Sequence, residues 1–129
     1  GKDIALLTIG HIGNYIIDIS PLLLKQGIDV AHYDLRFVKP LDEALLHEVF
    51  KKHDKVITVE NGCIQGGVGS AVLEFMSDNG YKAEVKRLGI PDRFIEHGKP
   101  IELHKECGFD KEGIINTIKS MVFQEALIR

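Results

Sequence analysis

The stretch ENGCIQGGVGSAVLEF, residues 60–75, decides the fold because it leads from a strand into a helix through four glycines. The residues before it, VITV at 56–59, form a wholly apolar run of strand length. After the glycines, apolar residues recur at helical spacing until Asn79 and Gly80. The order of strand, tight turn and helix predicts one β–α unit of a parallel sheet.

Three further β–α units are predicted on either side of this stretch. Helical apolar spacing follows each predicted strand, and the last helix is expected to begin at a cap formed by Asp110. Pro21 is expected to kink or split the first helix, and Gly27 to end it. Asp42 is expected to cap the second helix. The predicted strands are residues 4–9, 29–37, 56–59 and 83–90, and a short helix is expected at 101–107.

Strand composition predicts the order of the sheet. Strands 1 and 3 are unbroken apolar runs, as expected of strands with neighbours on both sides, whereas strands 2 and 4 carry charged residues, as edge strands do. The order 2-1-3-4 follows, in a three-layer α/β/α fold with a mainly parallel sheet and a single domain at 1–129. Ligands of such sheets favour the crevice at the carboxyl ends where the strand order reverses, here between strands 1 and 3.

The glycine-rich turn fails the tests for nucleotide binding. A P-loop needs Lys and then Ser or Thr after its last glycine, but Gly69 is followed by Ser-Ala. The dinucleotide fingerprint needs glycine or alanine where Val72 stands, and Glu60 would repel a phosphate. We therefore expect a structural turn at Gly66, Gly67 and Gly69, with Gly67→Val destabilising if φ of Gly67 is positive. The helix N-terminus itself could still bind a small anion.

Composition excludes several other classes of function. The chain has 129 residues and a net charge of −3, without a basic stripe that could neutralise a nucleic-acid backbone. No apolar run reaches membrane-spanning length, so neither a nucleic acid nor a membrane is expected as a partner. Two distant cysteines without a CxxC motif favour a reducing, cytoplasmic location. The six histidines lack metal-ligand spacing and are interpreted as solvated or hydrogen-bonded side chains.

Three longer motifs carry a family resemblance. RFVKPLDEALL (36–46), ITVENGCIQGGVGSAVLEF (57–75) and LGIPDRFIEHG (88–98) occur in this order. The second motif alone is typical of transketolase-type C-terminal domains, including those of 2-oxoacid dehydrogenase β subunits. With the other two, the chain resembles the C-terminal domain of the 1-deoxy-D-xylulose-5-phosphate synthases over roughly residues 2 to 122.

The resemblance implies a function for the longer enzyme. That enzyme would be a cytoplasmic homodimer dependent on thiamine diphosphate and magnesium. It would join a two-carbon unit from pyruvate to glyceraldehyde 3-phosphate and release CO2, supplying isoprenoid, thiamine and pyridoxal synthesis. The family's catalytic, cofactor and metal residues lie in its preceding domains, so this segment is expected to hold none and to be inactive alone. The family's antiparallel first edge strand is expected to be missing here.

The expected role of the segment is to brace the dimer and the neighbouring domain of its own chain. Arginine and phenylalanine side by side in loops suit interfaces, although strand exit and local capping explain the first group equally well. The segment could instead be a regulatory module that binds a small anion or metabolite, or, less favoured, a free-standing nucleotide-dependent enzyme. The interface candidates are Arg36, Phe37, Lys39, Asp42, Asp92, Arg93, Phe94 and His97. Whether His97 approaches the active site of the dimer is left open.

Overall fold

A computed structural model of the chain describes residues 3–9, 13–35, 42–63, 67–90 and 111–128. Strands and helices alternate along these residues. In chain order they are β1 (Ile4–Thr8), α1 (Gly13–Lys25), β2 (Val30–Asp34), α2 (Glu43–Lys52), β3 (Lys55–Cys63), α3 (Val68–Asp78), β4 (Glu84–Ile90) and α4 (Lys111–Ile128). The short helix predicted at 101–107 and the cap predicted at Asp110 lie outside the described residues.

The four described strands form one sheet in the order β2-β1-β3-β4, as predicted from their composition. All three pairings are parallel, and Leu6 of β1 pairs with His32 of β2 on one side and with Ile57 of β3 on the other. The apolar strands β1 and β3 are hydrogen-bonded to a neighbour at both edges and are therefore central. The charged strands β2 and β4 lie at the two sides of the described sheet. The predicted strand order is therefore confirmed.

Two apolar clusters cover the two faces of the sheet and make the fold three-layered. The first holds alternate residues of β1 and β3 under α1 and α4; it comprises Ile4, Leu6, Ile16, Ile19, Leu23, Ile28, Ile57, Val59, Ile114, Ile118 and Met121. The second lies under α2 and α3 and comprises Ala5, Leu7, Leu35, Leu46, Val49, Phe50, Val56, Val68, Val72 and Phe75. Alternation of side chains along the central strands sends successive residues to opposite layers.

Of the two outcomes predicted for Pro21, a kink or a split of the first helix, the split was wrong. α1 runs from Gly13 to Lys25 with Pro21 inside it. Proline removes one amide donor, which leaves the carbonyl of Ile17 without its usual partner four residues on. Both Pro21 and Ile17 are exposed, so water can satisfy that carbonyl. A proline on the solvent side is therefore compatible with a continuous helix.

The helix ends follow the predicted chemistry. The side chain of Asp42 accepts a hydrogen bond of 3.0 Å from the amide of Leu45 and caps α2. Gly27 ends α1 with φ of +85°, and the amide of Ile28 donates to the carbonyl of Leu23 across it. Gly80 ends α3 in the same way with φ of +71°. Among the described residues, no helix is long and apolar enough to cross a membrane.

Candidate functional site at the switch point of the sheet

The candidate site lies at the carboxyl ends of β1 and β3, where the strand order reverses. The chain leaves these neighbouring strands toward opposite faces, since α1 packs in one layer and α3 in the other. This divergence opens the crevice in which ligands of parallel sheets bind. Its described walls are the last residues of both strands and the N-terminal turns of α1 and α3.

Glu60 occupies the N-terminus of α3. One carboxylate oxygen accepts a hydrogen bond of 2.9 Å from the amide of Val68, and the other accepts one of 3.3 Å from the amide of Gly69. The register of β3 with β4 shifts between Glu60 and Cys63, so the strand is irregular where it turns toward the helix. A carboxylate at this position satisfies amides that a helix cannot pair internally and complements the helix dipole. The position that would receive a phosphate therefore already holds a negative charge.

Gly69 lies at a close approach between α3 and the sheet. A Cβ at Gly69 would lie 2.9 Å from the Oγ1 of Thr58 and equally close to the side chain of Arg87. Gly67 has φ of −90° and ψ of −168°, an extended conformation without strain, so the positive φ considered from the sequence does not apply. Gly66 lies outside the described residues.

The floor beneath Gly69 contains a polar group without a partner among the described residues. The hydroxyl of Thr58 is buried and makes no hydrogen bond to any of them. Arg87 passes alongside on β4, and its Nη1 donates to the Oγ of Ser70 over 3.2 Å. The guanidinium of Arg87 thus lies beside the N-terminus of α3, where it donates a hydrogen bond to the side chain of Ser70. The prediction of a central strand at 56–59 already implied the burial of Thr58.

The opposite side of the crevice holds a threonine–histidine pair. The Oγ1 of Thr8 and the Nε2 of His32 are 2.7 Å apart, and both face the N-terminus of α1. Gly13 covers them so closely that a Cβ there would lie 3.1 Å from the Thr8 oxygen. Burial lowers the pKa of His32, and the negative charge of Asp34 opposes this only in part. Because Thr8 is fully buried, we interpret its hydrogen bond with the neutral imidazole of His32 as structural.

Two other histidines show how differently the same residue type can be placed. The Nδ1 of His47 lies 2.6 Å from the hydroxyl of Tyr81, in agreement with the prediction of hydrogen-bonded histidines. His53 is buried instead, and neither of its ring nitrogens has a hydrogen-bond partner among the described residues. The prediction is therefore wrong for His53, whose ring is arranged edge-to-face with that of Tyr33. Burial lowers its pKa, and the charge of Lys52 lowers it further.

The described residues do not fit a thiamine diphosphate or magnesium site. They contain no group of three or more His, Cys, Asp and Glu side chains placed to hold a metal ion. The helix start that could hold a diphosphate is paired with Glu60. A groove between α2 and α3 is lined by three carboxylates, which repel anions. Its lining residues are Glu43, Ala71, Glu74, Phe75, Asp78 and Asn79.

Of the interface candidates predicted from the sequence, the structure describes Asp42, which caps α2. The other seven, Arg36, Phe37, Lys39, Asp92, Arg93, Phe94 and His97, lie outside the described residues. The cap that Glu60 forms at the N-terminus of α3 was not predicted from the sequence. Glu60 and Val68 are eight residues apart in sequence and meet only when α3 folds back on the sheet. A glutamate ending an apolar strand just before a glycine turn is the signal that could have indicated it.

Comparison with known proteins identifies the family of the chain. The family model for the transketolase C-terminal domain matches residues 1–114. A solved structure described as a split-gene transketolase in an inactive β4 tetramer superposes with a TM-score of 0.85 at 28% identity. The superposition covers 95% of this chain and 40% of that one.

Curated relatives are named 1-deoxy-D-xylulose-5-phosphate synthase. The relative from Cytophaga hutchinsonii is 60% identical over 94% of this chain, and that from Parabacteroides distasonis is 55% identical over 92%. A relative from Geobacillus is 42% identical over 95%. The chain spans only 19 to 20% of the length of these proteins.

Proposed function

Because this chain belongs to the transketolase C-terminal domain family, we propose that it is the C-terminal domain of a 1-deoxy-D-xylulose-5-phosphate synthase. The observation that carries the proposal is the 60% identity to a synthase over 94% of the chain. The complete enzyme joins a two-carbon unit from pyruvate to glyceraldehyde 3-phosphate and releases CO2. It serves isoprenoid, thiamine and pyridoxal synthesis in the cytoplasm.

The catalytic work belongs to the rest of the synthase in this proposal. Thiamine diphosphate and Mg²⁺ are held by the other domains, which also bind both substrates. Three observations support this division: the helix start at the crevice is paired with Glu60, Thr8 is fully buried, and the described residues lack a metal-binding cluster. The isolated segment is accordingly inactive.

We propose that the segment braces the enzyme by packing on its own chain and on a second identical subunit. A rigid domain suits this role, and both faces of the sheet are covered by continuous apolar clusters. Gly69 contributes by allowing α3 to lie close to β3 and β4. The loops with Arg36, Phe37, Lys39, Asp92, Arg93, Phe94 and His97 are the proposed contacts with neighbouring domains.

The experiment that tests the synthase assignment is a turnover assay of the full-length protein. It uses pyruvate, glyceraldehyde 3-phosphate, thiamine diphosphate and Mg²⁺, and follows both CO2 and the phosphorylated product. Formation of 1-deoxy-D-xylulose 5-phosphate is expected. Decarboxylation of a 2-oxoacid without condensation onto the aldehyde would instead support the equivalent domain of a 2-oxoacid dehydrogenase.

An anion-binding regulatory module predicts a different result. A ligand that binds the folded state raises its stability as the ligand concentration rises. Inorganic phosphate should therefore shift the unfolding midpoint of the wild-type synthase and of Ser70→Ala equally, because Glu60 already pairs with the amides of α3. A specific rise with phosphate that disappears in Ser70→Ala would favour the regulatory module.

A further inference from the structure

The exposed apolar side chains of the described residues are concentrated on α1. A single exposed apolar residue is ordinary, but several on one helix indicate a contact surface. The exposed fractions are 62% for Ile17, 52% for Leu22, 60% for Leu24 and 45% for Phe123 of α4. Three of these four residues belong to α1.

Helix geometry divides the exposed side of α1 into two flanks. Successive residues are turned by about 100°, so Ile17, Pro21 and Leu24, at positions i, i+4 and i+7, share one flank. We call these three residues the α1 flank. Asp18 lies further round, and its carboxylate is 2.8 Å from the Nζ of Lys111 on α4. The α1 flank therefore faces away from α4, toward the side of the sheet where β2 is the outer strand.

The α1 flank lacks the composition of a helix face that stays in water. A surface helix normally carries polar residues opposite its core stripe, which in α1 consists of Ile16, Ile19 and Leu23. The other exposed side of α1 does so with Asn14, Asp18 and Lys25. All three positions of the α1 flank are apolar, whereas the other exposed side combines Leu22 with polar residues.

The point where the chain enters the sheet lies close to the Leu24 end of this flank. The amide of Asp3 donates to the carbonyl of Asp29 over 3.0 Å, and the amide of Asp29 donates to the carboxylate of Asp3 over 2.8 Å. Asp29 follows Gly27, which ends α1. The start of β1 is therefore tied to the end of α1.

The synthase relatives continue on this side of the segment. The match to this chain is their C-terminal part and covers 19% of the Cytophaga hutchinsonii protein. More than four fifths of such a chain would thus arrive through the residues before β1. A surface beside the entry point meets that preceding chain at a high effective concentration, which favours contact within one polypeptide.

We propose that the α1 flank is the docking surface for the preceding part of the same synthase chain, through an apolar patch on that part. The inference rests on the proposed function, because it takes the synthase as the longer chain. The flank buries Ile17 and Leu24 only in the complete enzyme. A second subunit is the competing occupant.

Thiol labelling of the full-length synthase tests whether the flank is covered. Ile17→Cys and Leu24→Cys are compared with Leu22→Cys, a control on the same helix that is exposed but turned by about 100° to 160° from the flank residues. Modification at each position is quantified on its own peptide, which separates it from Cys63 and Cys107. Native-state labelling of both flank cysteines is expected to be about tenfold slower than that of the control, with equal rates in denaturant. Equal native rates would overturn the proposal.

Cross-linking identifies what covers the flank. A short bifunctional reagent attached at Leu24→Cys is expected to reach residues before β1 within one chain, giving a product of monomer mass. A product of dimer mass, linked to the second subunit, would overturn the proposal. Turnover of the unmodified full-length protein is measured separately. An open flank in an active synthase would refute the docking alone, whereas absence of turnover would refute the proposed function.

Discussion

Gly69 lies at a close approach between α3 and the sheet, where a side chain has no room. Alanine is favoured over glycine inside a helix by about 1 kcal/mol, so Gly69→Ala would be stabilising if the site were open. The new Cβ would instead lie 2.9 Å from the buried Thr58 hydroxyl and from Arg87. We expect a net loss of about 1 to 3 kcal/mol in the free energy of unfolding, measured by urea denaturation.

Ser77→Ala is the matched control for this prediction. Ser77 is exposed on the same helix, so the substitution changes helix propensity without a contact with the sheet. A small gain in stability is expected there. If Gly69→Ala and Ser77→Ala both stabilise the protein, the close packing of α3 against the sheet is wrong.

Glu60 is expected to stabilise the start of α3 through its charge as well as its hydrogen bonds. Glu60→Ala removes both acceptors of the Val68 and Gly69 amides and should cost about 1 to 2 kcal/mol of unfolding free energy. Glu60→Gln keeps one acceptor oxygen and should cost less. Urea denaturation of both variants, with Glu84→Gln at an exposed site of β4 as control, measures the difference. Equal stability of Glu60→Ala and wild type would contradict the cap.

Because His53 is buried, we expect the free energy of unfolding to fall on mild acidification. Its pKa is lowered in the folded state by burial, while the unfolded chain titrates near the ordinary value of about 6.5. Below the unfolded-state pKa, the unfolded chain binds more protons than the folded one. The contribution of His53 to the free energy of unfolding is therefore fully present above that pKa, and it is lost as the pH falls toward the lowered folded-state pKa. His32, with a pKa lowered by burial, acts in the same direction.

The substitution that tests this is His53→Leu. It removes the buried imidazole but keeps the backbone amide that donates to Val49 at the end of α2. The difference in unfolding free energy between pH 7.5 and pH 5.5, about one unit on either side of the reference pKa, should be smaller in His53→Leu than in wild type. An unchanged difference would mean that His53 does not titrate as its burial requires.

At the scale of single elements, α1 depends on the turn that ends it. Gly27 has φ of +85°, and a Cβ there would meet nothing within 4 Å. The cost of Gly27→Ala is therefore backbone strain alone, about 1 kcal/mol. Gly27→Asn should cost less, because asparagine tolerates the left-handed region better. Thermal unfolding compares the two; equal melting temperatures for Gly27→Ala and wild type would contradict the left-handed turn.

The elements differ in how far their sequence determines them. The apolar runs of β1 and β3 predicted both strands and their central places, because burial on two faces and pairing at two edges leave little room for charge. Pro21 misled the prediction for α1, since the cost of a helical proline depends on whether the freed carbonyl faces water. That orientation is set by packing, which a local pattern does not contain.

The candidate site was harder to predict than the elements around it. The failed nucleotide motifs argued against a phosphate site at the glycine turn, and Glu60 was noticed as a source of repulsion. Its role as a cap arises from a contact across the turn that forms only in the folded domain. The buried position of His53 likewise depends on packing between elements.

At the scale of the whole molecule, the domain combines a closed core with an apolar surface on one helix. Both apolar clusters are enclosed by helices, whereas Ile17 and Leu24 remain exposed. A domain whose role is to brace an enzyme needs both properties, a rigid interior and a surface for its neighbours. The described walls of the crevice at the switch point consist of capped and buried groups, which fit the proposed bracing role.

The measurement that tests this account most directly is turnover and molecular mass of the synthase with and without residues 1–129. The intact protein is predicted to be a dimer that condenses pyruvate with glyceraldehyde 3-phosphate. The protein lacking this segment is predicted to lose both turnover and the dimer. A truncated protein that remains dimeric and keeps wild-type turnover would contradict the bracing role.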